Sequence, residues 1–143
     1  MDENVELLNY IHQNAEMGRD TLEQLLGISK NEEFKEILRS QLDEYKLIDN
    51  MTKEKLAAFD KEPKDIGAVT KARTYIAINV KTLTDKSPSH ISEMLIQGST
   101  MGIIDITKKM KEHKDADKEI VDLANKLLAF EQRNVDECKK YLQ

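Results

Sequence analysis

The sequence predicts an all-α protein: one domain over 1–143, a four-helix bundle with an additional crossover helix at about 66–85. Three observations predict it. Only 5 Gly and 2 Pro interrupt 143 residues, of which 34% are charged, a composition of good helix formers. Apolar residues recur at three- and four-residue spacing through long windows, which aligns them on one face of a helix. The stretch 87–106, finally, is apolar around more than half of a helical circumference, so neighbours must surround it.

Each element follows from local signals. Over 3–26, Leu8, Ile11, Ala15, Gly18, Leu22 and Leu25 form one stripe, and its small middle residues call for something bulky opposite. Gly27 reads as the stop, and Ser29-Lys30-Asn31-Glu32 as a capping box opening the next helix. So short a link makes the first two helices antiparallel neighbours. The second runs over about 30–61 with Phe34, Leu38, Gln41, Tyr45, Ile48, Thr52, Leu56 and Phe59 inward, until Glu62-Pro63 stops it. Residues 66–85 align Val69, Ala72, Ile76, Val80 and Leu83, with Arg73 at the stripe's edge and Tyr75 and Ile78 facing away. Ser87-Pro88 opens the central helix, 88 to about 112. On it Gly98 and Gly102 share a face with Ile91, Leu95 and Ile106. Interior glycines cost about 1 kcal/mol each, so both are expected where a neighbouring backbone comes close. A turn at 113–117 with Asp117 as cap leads into the last helix, 118–142, whose inner face holds Ile120, Ala124, Leu127, Glu131, Cys138 and Leu142.

Composition narrows the function classes. A net charge of −5 disfavours nucleic acid, which needs a concentrated basic face. No window approaches the roughly 18 apolar residues of a membrane span, and the start Met1-Asp2-Glu3-Asn4 is not a signal peptide. A cytoplasmic protein without membrane or nucleic-acid partners is therefore expected. The lone Cys138 excludes an internal disulfide, and no Ser/His/Asp triad, phosphate loop or nucleotide fingerprint is present.

Helix lengths bear on topology. The first, central and last helices are each about 25 residues, roughly 37 Å long. If 66–85 runs back along the bundle, the central helix comes in parallel to the second. Alternatively, a long helix kinked at Pro88 gives an up-down bundle with a projecting arm. In the first case the chain resembles the small ferritin-like bundle proteins of bacteria, over most of its length and in helix order. That resemblance implies a ferritin-like fold. Di-metal members carry Glu on two helices and Glu-x-x-His on two others; here Glu44 is followed three on by Leu47, and Glu131 by Asn134. The metal-ligand pattern is thus degenerate, and the only His/Glu pairs at helical spacing are His12–Glu16 and His90–Glu93.

Inward-facing polar residues are where chemistry could reside. Glu131 and Gln41 lie central on their stripes, Asp105 falls beside the glycines, and His12 and Asn134 lie on margins. A buried, unpaired carboxylate is costly. One account is a polar layer that fixes helix register: Glu131 with Arg73 or His12, Gln41 with Asp105 or backbone, Asn134 alongside. The other is a divalent metal held by His12, Asp105 and Glu131, oxygen-rich with one imidazole. The stripe of His90, Glu93, Gln97 and Thr100 reads as the solvated face. No catalytic residue is assigned and no cofactor is expected beyond a possible divalent metal. Two function classes follow: a non-catalytic interaction scaffold, recruiting a protein partner or second copy through Tyr75 and Ile78, or a ferritin-like metal-binding protein with redox activity.

Overall fold

A computed structural model describes residues 2–64 and 83–143. They form four helices, α1 (Glu3–Ile28), α2 (Glu32–Ala58), α3 (Pro88–Glu112) and α4 (Lys118–Lys139), with no strand among the described residues. The molecule is all-α, a four-helix bundle. Most of the expected crossover helix, with Arg73, Tyr75 and Ile78, lies outside the described residues; its last positions, Leu83 to Asp85, are not helical.

Local chemistry sets the helix starts. Asp2 caps α1 by accepting from the Asn4 amide, and Ser87 caps α3 by accepting from the His90 amide, with Pro88 in the first turn. An extended cap at Ser87 means that α3 begins there, so the long helix kinked at Pro88 does not form. Other boundaries differ from expectation. α1 runs through Gly27 to Ile28, with Ser29 as its C-cap. The cap of α2 is Asn31, accepting from the Phe34 amide, rather than Ser29: Asn31 stands directly before the first helical residue, where its short side chain reaches the orphan amide. α2 also stops well before Pro63, because Asp60 adopts a left-handed φ of 56°. Asp117 occupies the cap position of α4 but makes no side-chain cap bond, and the helix ends at Lys139 rather than 142.

α1 pairs with α2 and α3 with α4 as two antiparallel hairpins. Contacts at one end fix how the hairpins meet. The Asp117 amide donates to Asn4 Oδ1 at 2.7 Å, so α1 and α4 start together. His113 Nδ1 lies 3.6 Å from Glu6, and Lys55 lies 3.6 Å from Glu119, so α2 and α3 both finish at that end. They are parallel, and the chain leaving α2 rejoins the bundle at its opposite end. The core between the hairpins is built from Leu8, Ile11, Phe34, Leu38, Ile48, Ile91, Ile106, Ile120 and Leu127, all fully buried.

Candidate functional site

Three of the polar clusters between the described helices bear on the site. The first is built around Tyr45 and Glu131. Tyr45 comes inward because it continues the Leu38, Gln41 stripe of α2. Its ring lies flat against α1 at Gly18, where a Cβ would sit 2.5 Å from the ring; this is the bulky partner that the small residues of α1 call for. Its hydroxyl donates to Glu131 Oε2 at 2.9 Å, and its ring packs edge-on against Phe130, centroids 4.7 Å apart. The Glu131 carboxyl lies on α3 at Gly102, where a Cβ would come 2.8 Å from Oε1. Two glycines on different helices thus make room for one Tyr–Glu pair.

Glu131 is only 2% exposed. Burial pushes its carboxyl up to about 8; hydrogen bonds from Tyr45 and Asn14 oppose this, and the Asp105 charge adds to it. It therefore sits in the core chiefly as the neutral acid at pH 7. Burial likewise pushes the Tyr45 hydroxyl well above its ordinary value, and adjacent Glu131 adds to the effect. Glu131 Oε1 and Asn134 Nδ2 have no hydrogen-bond partner among the described residues.

The second joins α1 to α2. His12 Nδ1 lies 2.6 Å from Asp49 Oδ1, and Nε2 lies 2.9 Å from Glu16. With a carboxylate oxygen at each ring nitrogen, an imidazolium donates to both, whereas a neutral ring satisfies one. Asp49 is fully buried and also receives Arg19 at 3.0 Å and Lys53 at 3.3 Å. Burial alone would raise the Asp49 carboxyl; His12 and Lys53 outweigh it and hold it below its ordinary range. In the third, Gln41 Nε2 donates to Glu137 at 3.0 Å and faces Cys138 Sγ at 3.7 Å. Burial pushes the Cys138 thiol up, away from the reactive thiolate.

The expected metal ligands do not assemble. His12 is taken up by Asp49 and Glu16 on the α1–α2 side, Glu131 by Tyr45, and Asp105 is exposed. No group of three His, Cys, Asp or Glu among the described residues could hold a metal ion. The polar-layer account gains Gln41, Glu131 and Asn134, all buried, but with different partners. Glu131 bonds to Tyr45 rather than His12, and Gln41 to Glu137 rather than Asp105. Gly98 is a correction too: it is exposed and, among the described residues, a Cβ there meets nothing within 4 Å.

Sequence reasoning missed Asn14 and Asp49. Asp49 adjoins the apolar Ile48, and a stripe reading assigns such a neighbour to solvent. The available signal was level: counting outward from the turn between α1 and α2 sets Asp49 opposite His12.

Comparison of the chain with protein-family models, with curated proteins and with solved structures finds no match. No helix among the described residues is long and apolar enough to cross a membrane. Chemically, the Tyr45–Glu131 pair is a hydrogen-bonded joint between helices. With Tyr45 5% and Glu131 2% exposed, neither is presented to a substrate.

Proposed function

We propose that this chain is a non-catalytic interaction scaffold on a ferritin-like bundle. One observation carries the reading: the inward ionisable groups are each spent on a different helix–helix joint, His12 with Asp49 and Glu131 with Tyr45, instead of converging on one centre. The parallel course of α2 and α3, which a crossover connection requires, supports the ferritin-like helix order. Elemental analysis of protein purified without chelator tests it. Metal far below one equivalent per chain is expected. Stoichiometric iron or another divalent metal would overturn the scaffold reading in favour of a ferritin-like metal-binding protein.

A further inference from the structure

We infer that the outer face of α3 is a self-association surface, on which a second copy of this chain lays its own α3 antiparallel about a two-fold axis at Met101. The inference rests on the scaffold reading and names its partner.

Met101 is 64% and Ile104 48% exposed, two large apolar side chains one turn apart on the side of α3 away from the core. Glu93, Gln97, Met101, Ile104, Lys108 and Lys111, at spacings of three and four, form one continuous exposed stripe.

Charge decides the occupant and its direction. The stripe is acidic at its N-terminal end, with Glu93, and basic at its C-terminal end, with Lys108 and Lys111. An antiparallel copy centred on Met101 brings Glu93 opposite Lys108 and Lys111 of the second copy. It sets Gln97 opposite Ile104 and Met101 opposite itself. A parallel copy would set Glu93 on Glu93 and lysine on lysine, which disfavours it. One helix pair buries a modest area, so a reversible dimer is the expected form.

The test uses the full chain. Sedimentation equilibrium at millimolar chain concentration should show a monomer–dimer equilibrium. Glu93→Lys should weaken it at least tenfold. Mixing the Glu93→Lys chain with a Lys108→Glu/Lys111→Glu chain should restore it, because each copy then meets opposite charge. Met101→Cys, on the axis, should cross-link to itself under mild oxidation, while Leu47→Cys, 47% exposed on α2, should not. A monomer at all concentrations overturns the inference. So does a dimer that survives Glu93→Lys unweakened, or cross-linking no faster at position 101 than at 47. Metal content decides the scaffold reading separately: a metal-free monomer sinks the α3 dimer alone, and a metal-loaded dimer sinks the scaffold reading alone.

Discussion

Glu131→Gln should remove a pH dependence from the stability of the whole bundle. The substitution keeps the shape of the side chain and an oxygen to accept from Tyr45, but it cannot ionise. In the folded protein burial raises the Glu131 carboxyl from its ordinary value of 4.5 to about 8. Below pH 4.5 the group is protonated whether the chain is folded or not, and it adds no pH dependence. Between pH 4.5 and 8 the unfolded chain ionises while the folded chain keeps the proton, so stability falls by about 1.4 kcal/mol per pH unit. Above 8 both states are ionised and the loss is complete. A span of three to four units corresponds to roughly 4–5 kcal/mol, a large share of what a domain of this size has. The assay is urea denaturation of both proteins from pH 5 to 9. The variant should gain on the wild type steadily up to about pH 8 and then hold its lead. Subtraction removes the titrations common to both. A difference that stays flat across that range would refute the reasoning, since Glu131 would then titrate as a free side chain.

Three further outcomes follow from the packing described above. Gly102→Ala should cost about 1–3 kcal/mol, because the new Cβ meets the Glu131 carboxyl in a core that does not accept added volume freely. Gly98→Ala, into open space, should raise the melting temperature by an amount equivalent to about 0.5–1 kcal/mol. Asp49→Asn should cost about 3 kcal/mol at pH 7 by urea denaturation, since it leaves His12, Arg19 and Lys53 around a neutral side chain. The Asp49 carboxyl is held below its ordinary 3.8. Its contribution is therefore present above that value and disappears as pH falls through the folded value, so wild type and variant should converge in acid.

The start of α3 was legible in the sequence, although Gly27 and Ser29 misplaced the turn between α1 and α2. Ser87-Pro88 marks the start of α3 because a hydroxyl and a missing amide act within one turn, and that start separates the two topologies. The end of α2 was not legible, because the break comes from a left-handed Asp60, a conformation that Asp tolerates without announcing it. The two glycines of α3 show the limit of a helical wheel. Gly98 and Gly102 lie about 40° apart on it, and the boundary between core and solvent falls between them. Only the position of the neighbouring helix decides that boundary. For the same reason Glu131 was legible as buried, being central on its stripe, whereas its partner was not. A wheel ranks residues within one helix and is silent about which side chain of another helix stands level with it.

The hairpin arrangement carries a consequence for the order of folding. The His12–Asp49 contact closes 37 residues of chain and lies wholly within the first hairpin. The Tyr45–Glu131 contact closes 86 and bridges the two hairpins. Longer closure is entropically later, and the glycine seats that receive Tyr45 and Glu131 exist only once the helices have docked. Each hairpin should therefore gather its local contacts early, with the Tyr–Glu joint engaging after the folding barrier. Weakening that joint would then leave the refolding rate nearly untouched and quicken unfolding, so that the central hydrogen bond acts as a brake on coming apart.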